Sequence, residues 1–332
     1  MSETKKKPQP VVSWFDLVRL FGTFAVMFST LAVCYFPYNT DDWKPEQEAA
    51  VSYEDAEDFY DEVYAEADVV PRVDDSDEHG YVVIGRSSGA EFKIPELVAE
   101  FVADYGLERA KTLEVGAGSG QLQDLVADYT GLDIAPSAAR YFHKPFVAAS
   151  ATNLPFEDSS FEALWTVWTL EHIPNPERAL EEMRRVVKDG GHMLIAPAWI
   201  CASWMAEGYE VRPYSDFDWR GKLGKASLLV RQQHTLISWG LMSTRVLRRA
   251  SWGATAEPTR LRFRRLEPNY EDYWVPDADA AVSIDSHEAM LWFLSRGDEC
   301  LNCAAGVGGQ LAMQFDPLEI RVNKPAQRLA RN

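Results

Sequence analysis

Cysteine and basic residues are both scarce in this chain, and each shortage excludes a class of protein. Four cysteines among 332 residues are too few for a disulfide-stabilised scaffold. The 33 lysines and arginines are outnumbered by 51 aspartates and glutamates, which gives a net charge of −18. General nucleic-acid binding needs clustered cations to neutralise phosphates, so we expect no nucleic-acid partner. The 46% hydrophobic content, in contrast, is ample for a packed core.

The charge is unevenly distributed along the chain. Residues 41–80 contain sixteen acidic and two basic residues, whereas residues 200–265 contain twelve basic and five acidic ones. The acidic stretch predicts a solvated linker over residues 39–92. The basic stretch mixes arginines with apolar residues, a pattern that suits either contact with anionic headgroups or a solvated charged face.

An apolar run near the N-terminus predicts a single-pass membrane anchor over residues 11–38. Residues 20–38 carry no formal charge and would extend about 28 Å as a helix. A basic tail, residues 1–10, precedes the anchor. A cleaved signal segment and a buried core helix are the alternatives.

The topology of this anchor is open on the sequence alone. The lysines of the basic tail favour an N-terminus inside the cell, which would place the following residues outside. The cofactor chemistry argued below requires a cytosolic metabolite and favours a catalytic domain on the cytoplasmic side.

From residue 93 onward, the sequence alternates between strand and helix patterns. A buried strand at residues 110–115 leads directly into the glycine turn, G-A-G-S-G at residues 116–120. A helix over residues 121–128 and a second strand over residues 129–134 are predicted to follow. Such a turn lets the backbone approach a ligand. Its spacing differs from the dinucleotide fingerprint G-x-G-x-x-G, because Gln121 occupies the position of the last glycine.

These motifs resemble class I methyltransferases, which use S-adenosylmethionine. The resemblance covers about residues 93–199, and it includes Asn153–Phe161, Thr169–Ile173 and the Val187–Gly191 turn into a fifth strand. It implies an α/β fold with a Rossmann-like, doubly wound seven-stranded sheet and an inserted lid after strand five, in addition to the N-terminal transmembrane helix. Residues 200–332 would then contain the lid or substrate region and the last strands.

The resemblance also implies a cofactor site. Glu114 would orient the turn and the amino group of the cofactor, Asp133 would accept hydrogen bonds from the ribose hydroxyls, and Ile134 would pack on the adenine. Trp165, at the end of strand four, would flank the sulfonium. The implied cofactor-binding residues are Glu114, Gly116, Ala117, Gly118, Gly120, Asp133, Ile134, Ala151, Thr152 and Trp165.

His172 is the candidate catalytic residue. It follows strand four, near the position that the resemblance implies for the transferred methyl group. A base is needed only if the acceptor is a hydroxyl or another weak acid, and a histidine has a suitable pKa. The alternative is that Glu171 and His172 only stabilise the start of a helix.

The acceptor cannot be read from the sequence, so several functions stay open. We expect a membrane-tethered methyltransferase that O-methylates a small or lipid-linked acceptor such as a saccharide, with an aromatic lid formed after strand five. Methylation of a membrane quinone or another lipid is the second hypothesis. A non-catalytic S-adenosylmethionine-binding scaffold is the third, and the glycine spacing disfavours a nicotinamide oxidoreductase.

The C-x-x-C pair at Cys300 and Cys303 is open to several interpretations. It could form half of a zinc site, a redox pair or a structural disulfide. No other cysteine or histidine motif lies nearby in sequence, so we expect no metal site.

Overall fold

The computed structural model describes residues 13–35, 53–65, 81–202, 204–231, 234–255, 258–270, 277–313 and 316–324. The predicted basic tail at residues 1–10 lies outside these described residues, as does most of the acidic stretch. The strands are β1 (Lys111–Val115), β2 (Asp128–Asp133), β3 (Phe146–Ala148), β4 (Phe161–Val167), β5 (Val187–Ala196), β6 (Phe263–Arg265), β7 (Val282–Ile284), β8 (Glu299–Cys300) and β9 (Leu318–Arg321).

The described helices precede, connect and follow these strands. They are α1 (Trp14–Tyr35), α2 (Glu54–Ala65), α3 (Tyr81–Glu91), α4 (Ile94–Asp104), α5 (Pro176–Val186), α6 (Trp219–Arg231), α7 (His234–Thr255), α8 (Ser286–Leu294) and α9 (Gly306–Ala312). Short 3₁₀ turns occur at Pro136–Tyr141, Leu170–His172 and Tyr214–Asp216.

Seven of the strands form one sheet, in the order β3-β2-β1-β4-β5-β9-β8. Strands β1 to β5 are parallel, and β9 runs antiparallel to both β5 and β8. This arrangement confirms the predicted α/β fold with a Rossmann-like seven-stranded sheet. The direction of winding reverses between β1 and β4, so the carboxyl ends of these two strands border the crevice where such sheets bind ligands.

Local sequence explains the central elements. In β1 every residue after Lys111 is buried, as expected for a parallel strand that is covered on both faces. Helix α5 begins with Pro176, and the Asn175 side chain accepts a hydrogen bond from the Arg178 N–H at 3.1 Å. The Asp285 side chain caps α8 in the same way, through the His287 N–H at 3.1 Å.

The predicted helix over residues 121–128 is absent, because these residues form turns that lead directly into β2. The Gln123 side-chain amide donates to the carbonyl oxygens of Gly120 and Tyr141 at 2.9 and 3.1 Å. The side chain thereby bridges the glycine turn and the segment that follows β2. The glycine turn therefore does not open a helix.

Helix α1 is the described part of the predicted anchor, and its exposed side chains include Trp14, Phe15 and Phe21. Within the described ranges, the chain has no helix with the length and apolarity that a membrane crossing requires.

The arginines of the basic stretch on α7 point into the protein, which corrects both sequence interpretations for these residues. Arg245 is 1% exposed and donates to both carboxylate oxygens of Asp285, at 2.6 and 2.8 Å. Arg248 donates to Glu288 at 2.9 Å. Buried guanidinium groups need such partners to offset the loss of hydration. These residues thus join α7 to α8.

Cys300 and Cys303 form a disulfide, with their Cα atoms 5.4 Å apart. The disulfide fits two of the three interpretations of the C-x-x-C pair, a structural bridge and an oxidised redox pair. Both sulfur atoms are used in this bond, so neither is free to bind zinc in this state.

Candidate functional site

The glycine turn between β1 and β2 has a backbone that only glycine adopts without strain. Gly116, Gly118 and Gly120 have φ angles of 75°, 48° and 68°. A Cβ atom on Gly116 would overlap the Thr169 side chain, and one on Gly118 would lie 2.7 Å from the Tyr64 hydroxyl. The turn is therefore packed closely on both sides, by the segment after β4 and by α2.

Asp133 fixes this turn against the end of β2. One of its carboxylate oxygens accepts a hydrogen bond from the Gly118 N–H at 2.8 Å, and the other accepts from the Ala135 N–H at 3.1 Å. The residue is 7% exposed and lines a cavity. Burial raises its pKa, although the two N–H donors oppose the shift.

Glu114 lies beneath the turn, one residue before the end of β1. It is 4% exposed and accepts a hydrogen bond from the Tyr129 hydroxyl. Burial raises the pKa of Glu114 to about 8, and the hydrogen bond from Tyr129 opposes this shift. The carboxyl group is therefore mostly protonated at neutral pH, as long as no cation lies beside it.

Two adjoining cavities lie at the carboxyl ends of β1, β2 and β4. The adenosine-side cavity is the one lined by Asp133, Ile134 and residues 149–151. The turn-side cavity is lined by Glu114 and by residues 116–119 of the glycine turn. Their linings share Tyr64, Tyr81, Gly116, Trp168 and His172.

Most of the predicted cofactor residues line these cavities. Ile134 and Ala151 line the adenosine-side cavity, and Ala117 lines the turn-side cavity. Thr152 and Gly120 line neither. The Thr152 hydroxyl lies 2.9 Å from the Ser150 hydroxyl, and Gly120 packs against Gln123 and Phe142.

Trp165 is not at the site, which corrects the sequence interpretation. Its side chain is completely buried in the cluster that packs α4 against the sheet, and it lines neither cavity. Trp168, which follows β4 with a φ of 48°, lines both cavities instead. The sequence analysis predicted the correct strand but not the residue at which this strand ends.

The cover over the site comes from the N-terminal helices. In α2 the apolar and aromatic side chains of Ala56, Phe59, Tyr60 and Tyr64 are buried. The Asp61 carboxylate accepts a hydrogen bond from the Ser137 N–H at 2.6 Å. The predicted solvated linker is therefore wrong for residues 54–65, because their aromatic side chains pack in a buried cluster with Ala135 and Ala138, which follow β2.

The predicted aromatic lid after strand five contributes little to the cavity walls. Trp199 lines the turn-side cavity, but Trp204 is buried away from it, and Tyr214 and Trp219 are largely exposed. Tyrosines 53, 60, 64 and 81 line the adenosine-side cavity instead. The sequence signal that could have indicated these tyrosines is the spacing of aromatic residues in the acidic stretch.

A cluster of ionisable groups, the acidic cluster, borders the turn-side cavity: Glu171, His172, Asp277 and Asp279. His172 Nε2 lies 3.9 Å from Glu171 Oε1, and His172 Nδ1 lies 3.5 Å from Asp279 Oδ2. The Tyr60 hydroxyl donates to Asp279 Oδ2 at 2.7 Å. His172 and Asp277 line the turn-side cavity. Sequence reasoning assigned no role to the two aspartates, which lie more than 100 residues after His172.

The central part of the chain is similar to known proteins. Residues 113–195 match the family described as "Methyltransferase domain". The sterol 4-C-methyltransferase strm-1 of Caenorhabditis elegans is 32% identical over 26% of this chain and 31% of its own length. A demethylmenaquinone methyltransferase of Paenarthrobacter aurescens is 38% identical over 26% of this chain and 38% of its own.

The chain thus spans about a third of the length of these curated relatives. A solved structure from Thermotoga maritima, titled as a possible histamine N-methyltransferase, is 23% identical and covers 35% of this chain and 57% of its own, with a TM-score of 0.30. That score is too low for the likeness to support an argument. The region that matches the methyltransferase family, residues 113–195, contains the glycine turn, which begins at Gly116, and also Asp133 and His172. Residues 113–195 therefore match a methyltransferase domain, and this match and the methyltransferase relatives support the resemblance to the class I family, whose members use S-adenosylmethionine as the methyl donor.

Proposed function

We propose that this protein transfers a methyl group from S-adenosylmethionine to a small hydroxylated acceptor. The observation that carries the proposal is the glycine turn, which is held by Asp133 and opens on two adjoining cavities. The residues present fit the cofactor. Asp133 would hold the ribose hydroxyls, Ile134 would pack on the adenine, and Glu114 would pair with the amino group. When bound, the cofactor supplies an electrophilic methyl group on a sulfonium sulfur.

The turn-side cavity suits a flat and largely apolar acceptor. Its walls include Val82, Phe92, Trp168 and Trp199, and aromatic walls favour rings over flexible polar chains. The demethylmenaquinone methyltransferases among the relatives are named for a ring acceptor. We therefore place a quinol-type ring ahead of a saccharide, which is the second candidate because aromatic walls also bind sugars.

His172 holds a proton in this electrostatic setting. Burial lowers its pKa, but Asp279, Glu171 and Asp277 outweigh that effect and raise the pKa above the usual range. An imidazolium cannot accept a proton, so His172 would act as a general base only after the charge around it changes.

Transfer of labelled methyl from S-adenosylmethionine into fractionated lipid and saccharide extracts tests the proposed function. We expect label in a quinol-containing lipid fraction. Label in the saccharide fraction alone would support the second candidate. Tight cofactor binding with no label in any fraction would support the non-catalytic scaffold and contradict the proposal.

The pH dependence of cofactor affinity tests the role proposed for Glu114. Below about pH 8 the carboxyl group is mostly protonated and cannot pair with the cationic amino group, whereas above that pH it is ionised. Affinity for S-adenosylhomocysteine should therefore rise from about pH 6 to about pH 8 and then level off.

The control for this prediction is Glu114→Gln, which preserves size and removes the ionisation. Its affinity should be weak and should follow a flatter pH profile over the same range. Parallel profiles for the two proteins, measured by isothermal titration calorimetry, would remove Glu114 from the cofactor site.

For the location of the protein, we propose attachment to a membrane surface through α1, with the catalytic domain on the cytoplasmic side. Trp14, Phe15 and Phe21 are 76%, 75% and 74% exposed, and aromatic side chains favour the headgroup region. A surface attachment would also give the protein access to a lipid-like acceptor.

Co-sedimentation with lipid vesicles tests this attachment. The full chain should pellet with the vesicles, and a variant lacking residues 1–35 should stay in the supernatant and still bind S-adenosylhomocysteine. Pelleting of the shortened variant to the same extent would assign membrane attachment to another part of the chain.

A further inference from the structure

The acidic cluster contains more negative charge than the described residues around it neutralise. Glu171 and Asp279 are 0% and 1% exposed, and Asp277 is half-buried beside them. His172 is the one cationic partner that the described part of the chain gives these three carboxylates. Burying several carboxylates around one imidazole is costly unless protons or a cation compensate their charge.

Two buried oxygen atoms of the cluster also lack hydrogen-bond partners within the described ranges. Glu171 Oε1 accepts from the Ala198 N–H at 2.9 Å, but Glu171 Oε2 has no partner there. Asp279 Oδ2 accepts from Tyr60, but Asp279 Oδ1 has none. Buried polar atoms are nearly always paired, so unpaired carboxylate oxygens beside a cavity indicate a missing positive partner.

The three candidate ligand atoms lie close to the spacing that binding of one ion requires. One atom each from Glu171, His172 and Asp277 lie within 4.8 Å of one another. Two ligands bound at about 2.1 Å lie at most about 4.2 Å apart, so the side chains need to close by about half an ångström.

His172 lies between two carboxylates at ion-pair distance from each, and its Nδ1 makes no hydrogen bond among the described residues. Its Nδ1 faces Asp279, which in turn accepts from Tyr60, and its Nε2 faces Glu171. A carboxylate on one ring nitrogen fixes the ring and raises the basicity of the other nitrogen.

We propose that Glu171, His172 and Asp277 bind a divalent cation, with Asp279 as the positioning residue for His172. A mixed set of one imidazole nitrogen and carboxylate oxygens favours a first-row cation such as Mn²⁺ over Mg²⁺ or Ca²⁺, which prefer oxygen alone. This role replaces the predicted role of His172 as a general base.

The cation would assist the methyl transfer proposed above, and this part of the inference rests on that proposed function. His172 and Asp277 line the turn-side cavity, so open coordination positions would face the acceptor. A hydroxyl held there loses its proton to water more readily, because the cation stabilises the oxygen anion. The oxygen lone pair then forms the new C–O bond with the methyl carbon, and the C–S bonding pair stays on sulfur as a neutral thioether. The acceptor class is therefore a ring that carries a hydroxyl group.

The proposal is tested by the binding of Mn²⁺ to the full chain, measured by electron paramagnetic resonance. The chain is first treated with EDTA to remove bound metal, and no cofactor is added. We expect one bound Mn²⁺ per chain. Glu171→Gln and Asp277→Asn should each weaken binding by at least about tenfold. The matched control is Asp124→Asn, an acid outside the cluster whose side chain is 71% exposed, and it should bind like the unmodified chain.

The outcomes separate this inference from the proposed function. Absence of stoichiometric Mn²⁺ binding, or unchanged binding in both cluster variants, would overturn the metal site. Calorimetry with S-adenosylhomocysteine in EDTA measures the cofactor site alone. Cofactor binding without Mn²⁺ binding would therefore refute the metal site only. Mn²⁺ binding without cofactor binding would refute the cofactor site only. Equal melting temperatures of the variants would show that each variant is folded.

Discussion

Gly116→Ala should reduce the affinity for S-adenosylhomocysteine by more than about tenfold, because it disturbs the backbone turn on which the cofactor would lie. Gly116 has a φ of 75°, and an added Cβ would overlap the Thr169 side chain. A left-handed residue other than glycine costs about 1–3 kcal/mol when its surroundings cannot relax. Thr169 follows β4 at the cavity wall, so any relaxation moves the site itself.

Gly106→Ala is a matched control for this substitution. Gly106 also has a left-handed φ, 64°, but no atom lies within 4 Å of an added Cβ. Its substitution should cost stability and leave affinity within about twofold of the unmodified chain. Calorimetric titration of both variants measures the difference. Equal affinities would show that the glycine turn does not contact the cofactor.

Asp133→Ala has the second large expected effect, through two sets of lost hydrogen bonds. The carboxylate now binds the N–H groups of Gly118 and Ala135, and it would also accept from the ribose hydroxyls. Loss of hydrogen bonds to a charged group costs about 1–3 kcal/mol, which corresponds to about tenfold or more in affinity.

Asp128→Ala removes an exposed carboxylate from the other end of the same strand, and it is the control for Asp133→Ala. Its affinity for S-adenosylhomocysteine should equal that of the unmodified chain. If both substitutions weakened binding equally, the effect of Asp133→Ala would reflect general damage to β2, and the ribose assignment would fail.

The sequence predicted the parts of the site that depend on local pattern. A buried strand that runs into closely spaced glycines has few other structural solutions, and an acid at the end of the next strand belongs to the same edge of a parallel sheet. Both features are determined within about 25 consecutive residues, and the structure places Gly116 and Asp133 together at the cavities. Their predicted contacts with the cofactor stay predictions.

The parts that sequence reasoning missed depend on packing between distant segments. Tyr60 lies in an acidic stretch whose composition resembles a linker, and it is buried because it packs against residues distant in sequence, among them His172 and Asp279. Asp277 and Asp279 reach His172 across more than 100 residues with no shared motif. Trp165 and Trp168 differ by only three positions, so the end of a strand decides which one reaches the cavity.

The most direct measurement of the central claim is calorimetric titration of the full chain with S-adenosylhomocysteine. The account predicts saturable heat with one site per chain, and loss of that heat in Gly116→Ala but not in Gly106→Ala. Absence of heat from a folded chain, or heat that Gly116→Ala leaves unchanged, would contradict the claim that the glycine turn and Asp133 form a cofactor site.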